Sequence, residues 1–268
     1  MLIIYVRLKQ TDHGILRNGI WAYTNERLCK DDLITVQIVE NECSDNIAPV
    51  NLPLDIAYED DDIIVINKPF DMPAHPSAGN HDNTLANALM YYYGSQNKPF
   101  VYRCINRLDR DTTGLTIVAK HALAGGILGN AVAKRAIHRT YYAVCSGCTP
   151  ACMRISAPIA RKDASTIERC VDFKHGEYAV TDFIRIKYNP DNNLSLVKLR
   201  LLTGRTHQIR VHMKYIGFPL IGDFLYNPDY TYISRQALHS GRLVFTHPVT
   251  GQKMNLISDI PSDMKSLF

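Results

Sequence analysis

The sequence predicts an α+β protein built on a largely antiparallel sheet with flanking helices. Three observations carry this reading. Strand-like runs and helix-like runs both occur but do not alternate strictly. Two pairs of strand-like runs are joined by short turn-forming stretches, "NPDNN" and "HPVTGQ", as in hairpins. Apolar residues are 46% and charged residues 21% of the 268, enough for one sizeable core.

In chain order, "GIWAYTNERLCKDDLITVQIVE" reads as a strand, a turn and a second strand, and "SDNIAPVNLP" as a polar, proline-punctuated linker. This divides the chain into a small strand-rich segment, 1–50, and a main domain, 51–268. "DDIIVINKP" predicts a buried strand over Ile63–Asn67, stopped by Pro69, and "FDMPAHPSAGNHD" a loop. "NTLANALMYYYG" fits a helix with Asn83 as N-cap and Gly94 beyond its end. "GLTIVAK" is nearly all apolar and belongs inside the sheet, and "HALAGGILGNAVAKRA" fits a helix despite its glycines. "RTYYAVCSG" is a strand, and "EYAVTDFIRIKYNPDNNLSLVKLRLLTG" two strands. "RTHQIRVHMKYIG" is a helix of about three turns ended by Gly217 and Pro219, and "GRLVFTHPVTGQKMNLIS" a final hairpin.

No apolar run approaches the roughly 20 residues of a membrane span. The opening "MLIIYVRLKQTDH" has no basic start, long apolar centre or cleavage site, so a cytoplasmic protein without a membrane partner is expected. Seven scattered cysteines argue against a disulfide framework. Cys145, Cys148 and Cys152 lack a fourth zinc ligand nearby, and Cys145 ends an apolar strand. Net charge is +4, but it changes along the chain. Residues 1–100 carry 7 basic and 14 acidic groups, and residues 101–268 carry 23 and 12. A positive field on one part of a protein suits a polyanion such as nucleic acid.

Two constellations carry chemistry. "INRLDRDTTGLTIVAK" sets Arg107, Asp109, Arg110 and Asp111 against a buried strand. Charges at that depth cost several kcal/mol each unless paired. "LLTGRTHQIRVHMKYIGFPLIGD" places Arg205, Thr206, His207, Gln208, Arg210 and His212 at the start of an amphipathic helix, whose N-terminus attracts anions. Arg210 could reach a carboxylate from there. His207 and His212 are five apart, which puts them on different helix faces and argues against a shared metal.

These segments resemble the RluA-like family of RNA pseudouridine synthases. "INRLDRDTTGLTIVAK" is similar to the family's H-R-L-D-x-x-T-S-G-L signature. "RTYYAVCSG" is similar to K-x-Y-x-A-x-V-x-G, and "LLTGRTHQIRVHMKYIGFPLIGDFLY" to L-x-T-G-R-x-H-Q-I-R-V-H followed by G-x-P-I-x-G-D-x-x-Y. "INKPFDMPAHPS" is similar to the family's K-P-x-G-x-x-V-H-P segment, and residues 14–39 resemble the last strands of an S4-type domain. Asn106 stands where the family usually has His, Thr113 where it often has Ser, and Arg139 where Lys is usual. The resemblance implies a mixed sheet with a central cleft and isomerisation of uridine to pseudouridine in rRNA or tRNA by base flipping. It implies no metal or organic cofactor, and a monomer is expected. Asp109 matches the catalytic aspartate, as nucleophile or base. Tyr141 matches the tyrosine that stacks on the target base, and Arg210 the arginine that pairs with the aspartate. Arg107 matches the arginine that fills the space of the flipped uridine. Arg110, Arg205, His207 and Gln208 are the further candidate RNA contacts.

Two other readings compete. An RNA-binding or ribosome-assembly factor would need none of Asp109, Tyr141 and Arg210 in register. A hydrolase would want a second carboxylate or a metal, and Asp111 is the nearby candidate. Elsewhere, Lys68 reads as a strand-end contact with no evident partner to depress its pKa, and "EDDD", Glu59–Asp62, as a solvated turn. Tyr91, Tyr92 and Tyr93 read as helix packing plus surface.

Overall fold

The computed structural model of the chain describes residues 12–38, 40–77, 79–162 and 167–268. The first eleven residues, which belong to the expected N-terminal segment, lie outside these.

A three-stranded antiparallel sheet comes first: β1 (Ile15–Arg17) sits between β2 (Ile20–Trp21) and β3 (Ile34–Val36). The sequence suggested two strands here, because β1 and β2 are separated only by the Asn18–Gly19 turn. Residues 44–54 do not stand off as a linker. Ile47, Leu52 and Leu54 pack against the core, and Asn87 holds the Ala48 carbonyl at 2.7 Å.

The main sheet has ten strands. Along its path run β4 (Ile56–Glu59), β5 (Ile63–Lys68), β7 (Thr113–Ala119), β14 (Leu238–Thr246), β8 (His138–Ser146), β13 (Leu194–Leu201), β12 (Val180–Asn189) and β9 (Cys152–Ser156). β6 (Arg103–Cys104) pairs with β7, and β15 (Lys253–Ile257) with β14. β10 (Ile159–Arg161) and β11 (Arg169–Val171) form a separate ribbon. Among the described strands every pairing is antiparallel except β7 with β14, which joins the two halves through His239↔Thr113 and Ser240↔Gly114. Two hairpin-rich halves therefore meet at one parallel seam, and β14 fills it although it arrives late in the chain.

Alternation explains why β5 and β7 read as continuous apolar runs. Ile64, Ile66 and Val118 face α1 (Leu85–Gly94), whereas Ile63, Val65, Leu115 and Ile117 face α2 (Ala122–Ala133). Helix α1 is capped one residue later than expected. Thr84, not Asn83, accepts the Asn87 N–H and forms a capping box with Asn87, and Gly94 is the last helical residue rather than the stop. Helix α3 (Gln208–Tyr215) is about two turns rather than three, because His207 takes a left-handed conformation (φ 57°) that no regular helix continues through. A short α4 (Ser262–Lys265) ends the fold. No helix of the described residues is long and apolar enough to cross a membrane.

Candidate active site

The loop Ile105–Thr112 enters β7 at the seam. Asn106 is buried and fastens that loop to its own strand. Its Oδ1 accepts the Ile117 N–H at 2.9 Å, its Nδ2 donates to the Leu115 carbonyl at 3.3 Å, and its carbonyl accepts the Thr116 hydroxyl. The Thr112 N–H returns to the Asp109 carbonyl at 3.1 Å, closing a turn with Asp109 at its head. Gln236, just before β14, donates to the Thr112 hydroxyl from across the seam.

Arg210 arrives from α3, which is seated over β8, β12 and β13 by the burial of Ile209 and Met213 among the apolar side chains of those strands. Its guanidinium is 2% exposed and fully engaged. Nε and Nη2 donate to the two Asp223 oxygens at 2.7 Å each, and Nη1 donates to Asp109 Oδ2 at 3.0 Å. The rings of Tyr226 and Phe224 lie 5.0 and 5.4 Å from its central carbon. Burial works against the charge, yet Asp223 and Asp109 more than offset it, so the group is held above its usual range. A buried charge with one partner would be costly; with two carboxylates the arginine becomes a fixed post.

Asp109 itself is 27% exposed at the floor of a cavity of about 700 Å³. Tyr141 lines the same cavity from the middle of β8. Among the lining residues Asp109 is the sole carboxylate, whereas Arg107, Arg135, Arg139, Arg200, Arg205 and Arg210 all contribute. Asp111 does not line it; Arg110 pairs with it at 3.2 Å instead, which removes the second acid that hydrolysis would want.

A family model described as RNA pseudouridylate synthase matches residues 62–215. The chain belongs to that family. It is 41% identical over 253 residues to the uncharacterized RNA pseudouridine synthase YjbO of Bacillus subtilis, covering 94% of this chain and 88% of that one. It is 41% identical over 267 residues to the ribosomal large subunit pseudouridine synthase D of Haemophilus influenzae, covering 94% and 81%. The solved structure of human RNA pseudouridylate synthase domain containing 1 superposes with a TM-score of 0.65 at 26% identity, over 77% of this chain and 83% of that one. This pseudouridine synthase is thus an isomerase by family, on the fold its sequence predicted.

The expected site residues separate in space. Asp109, Tyr141 and Arg210 converge on the cavity, with Arg107, Arg205 and His207 on its lining. Arg205 is also tied down by Glu177 and the Tyr178 carbonyl. Arg110 lies outside the lining, between Asp71, Asp111 and the Phe224 ring. Gln208 also borders the cavity, but its amide is not free to meet RNA. It is 2% exposed, and its amide is spent on the Thr203 hydroxyl, the Arg205 N–H, the Val180 carbonyl and the Thr181 hydroxyl. Its place is inside, bracing the turn that precedes α3.

Lys68 is the expected strand-end contact, closing β5, but its pKa is depressed without a partner charge. It is 1% exposed, its Nζ donates to the carbonyls of Pro69 (2.7 Å) and Arg110 (2.8 Å), and burial pulls its pKa down to about 7. It braces the loop that carries Asp109. The Glu59–Asp62 turn joins β4 to β5 with Asp61 exposed, but its other acids are half-buried and partnered. Glu59 accepts from Tyr92 and Tyr93, each at 2.9 Å, and Asp60 Oδ1 caps the N–H groups of Asp62 and Ile63. Asp60, Asp62 and His247 form the one group of metal-ligating atoms gathered among the described residues, at the far end of β5 and β14 from Asp109. His247 Nδ1 accepts the N–H groups of Val249 and Thr250, so its Nε2 carries the proton it shares with Asp60 at 2.9 Å. A nitrogen so occupied has no lone pair for a metal.

Residues the sequence reading missed are Asp223, Tyr226 and the basic rim of Arg135, Arg139 and Arg200. The charge change at residue 101 announced the rim without naming it. Asp223 stood in a quoted motif, but nothing local marks it as the partner of Arg210.

Proposed function

We propose that this pseudouridine synthase isomerises uridine in ribosomal RNA, with Asp109 as its catalytic carboxylate. The observation that carries the reading is the single carboxylate set on the floor of an otherwise basic cavity, braced by a buried arginine. The isomerisation breaks the N1–C1′ bond, forms C5–C1′, and moves one proton from C5 to N1. Asp109 serves by attacking the sugar or by taking a sugar proton. The Tyr141 ring holds the detached base by stacking, worth roughly 1–3 kcal/mol. Arg107 fills the gap left by the flipped nucleotide, offsetting part of the unstacking cost. Arg110 and Arg205 meet the RNA around the opening. In this reading residues 1–50 are an accessory segment, residues 51–268 the catalytic domain, and the protein works as a cytoplasmic monomer. Ribosomal RNA is preferred over transfer RNA because several relatives near 40% identity are named ribosomal large subunit pseudouridine synthases.

The test uses RNA carrying 5-tritiated uridine, taken from cells lacking the protein and separated into ribosomal and transfer fractions, with no metal added. The wild-type chain should release tritium from the ribosomal fraction, and Asp109→Asn should release none while binding within a few fold. Full activity of that variant would remove Asp109 from the chemistry, and release from transfer RNA alone would move the substrate.

A further inference from the structure

One turn holds both groups that face the Asp109 carboxylate. Residues 223–227 close on themselves through the Asn227 N–H and the Asp223 carbonyl, 2.8 Å apart. Asp223 grips Arg210. Tyr226, three residues on, sets its hydroxyl 2.9 Å from Nδ1 of His207, and Nε2 of His207 lies 3.9 Å from Asp109 Oδ2.

Hydrogen-bond counting settles which imidazole nitrogen carries the proton. The Tyr226 oxygen accepts the Arg169 N–H at 2.9 Å. Its own proton needs an acceptor, and among the described residues Nδ1 of His207 is the one within reach. A neutral imidazole that accepts at Nδ1 holds its proton at Nε2, the nitrogen that faces Asp109. Burial, helped by Arg210 and opposed by Asp109, lowers the His207 pKa and keeps the ring neutral. Two donors, Arg210 Nη1 and His207 Nε2, thereby address Oδ2, while Oδ1 has no hydrogen bond among the described residues. His207 is also a non-glycine residue held at φ 57°, a conformation that persists where surrounding contacts over-determine it.

We propose that His207 is a positioning residue for the isomerisation: its Nε2–H, fixed by the Tyr226 hydroxyl, helps Arg210 clamp Oδ2 so that Oδ1 meets the substrate. This rests on the reading of Asp109 above and departs from the expectation that His207 touches RNA. The ring is 12% exposed, and its polar atoms point to Tyr226 and Asp109 rather than outward. At 3.9 Å the contact is longer than a hydrogen bond, a looseness common in catalytic sites before substrate closes them.

Single-turnover tritium release, salt-dependent RNA binding and thermal melting test this on the full chain, using the same 5-tritiated ribosomal RNA. His207→Ala should slow the single-turnover step about ten- to a hundredfold, the effect of losing a hydrogen bond to a charged group. RNA affinity should stay within about threefold, with an unchanged salt slope. His207→Asn tolerates the left-handed backbone but falls short of Asp109, and should be as slow. Tyr226→Phe keeps its ring against Arg210 and Lys214. It should slow the step about two- to tenfold. The double variant should be no slower than His207→Ala alone, because Tyr226 acts through His207. Should the His207 variants fail to fold, Tyr226→Phe carries the test by the same slowing at normal affinity. Wild-type rates with weakened binding and a shallower salt slope would overturn the proposal and return His207 to the RNA surface. Independent, additive losses would overturn it too. Either result with an inactive Asp109→Asn leaves the reading of Asp109 standing, whereas an active Asp109→Asn removes that reading itself.

Discussion

Replacing Lys68 by methionine separates what burial does to this amine from what its hydrogen bonds do for the loop. Lys68 ends β5 with its Nζ sealed under the carbonyls of Pro69 and Arg110. Burial pulls its pKa from 10.5 to about 7, against the opposing pull of Asp111 and Asp109. Between those two values the unfolded chain holds a proton on this amine that the folded chain has shed. Stability therefore rises with pH across that window and is lost as pH falls toward 7. The full span is worth about 5 kcal/mol, and the part between about pH 7 and about pH 9.5 about 3 kcal/mol. Methionine fills a similar volume and does not titrate. It leaves two carbonyls without this donor, at about 1–3 kcal/mol each. Near pH 7 the two effects offset each other, so variant and wild type should unfold at similar urea concentrations. Near pH 9.5 the wild type should be ahead by about 3 kcal/mol. Urea titrations followed by circular dichroism at both pH values measure the difference, in which groups titrating alike in both proteins cancel. Parallel pH dependences would refute the buried, deprotonating amine.

Three further outcomes are expected. Asp223→Ala strands the Arg210 guanidinium at 2% exposure with one partner, and should cost about 3–5 kcal/mol in chemical denaturation; Asp223→Asn, which still accepts from the turn, should cost less. Gly114→Ala should lower stability by more than about 2 kcal/mol in thermal melts, because Gly114 sits at φ +107° and a Cβ there would strike the Ser240 backbone at the seam, its nitrogen 2.7 Å away. Arg139→Ala and Arg200→Ala, on the basic rim, should each weaken RNA binding and reduce the salt slope by about one, read by filter binding across a salt series.

Much of the fold was legible because it rests on local rules. β5 and β7 announced themselves as unbroken apolar runs, and α1 and α2 as apolar stretches between turn residues. The hairpin β12–β13 was readable from its polar turn. The errors share a cause as well. Asn83 and Thr84 are both good caps, and only the packing that lets Asn87 reach back to Thr84 chose between them. The shortened α3 was hidden because nothing in "GRTHQ" requires His207 to turn left-handed, the conformation in which its ring meets Tyr226, 19 residues away. Nothing local shows that Lys68 is sealed from solvent or that Glu59 and Asp60 find partners. Those environments come from Tyr92, Tyr93, Lys120 and the Arg110 carbonyl, which belong to distant segments.

Residue pattern alone indicated most strands and helices of the main domain, and short motifs carried the family likeness that points to Asp109, Tyr141 and Arg210, because periodicity and motif are local properties. Tertiary structure decided that Asp223 holds the far side of the guanidinium that meets Asp109 across 101 residues, and that Gln208 turns inward. The reason is that burial and hydrogen-bond partnership depend on which distant segments meet in space, and a charge's worth depends on that surrounding medium rather than on its neighbours in the chain.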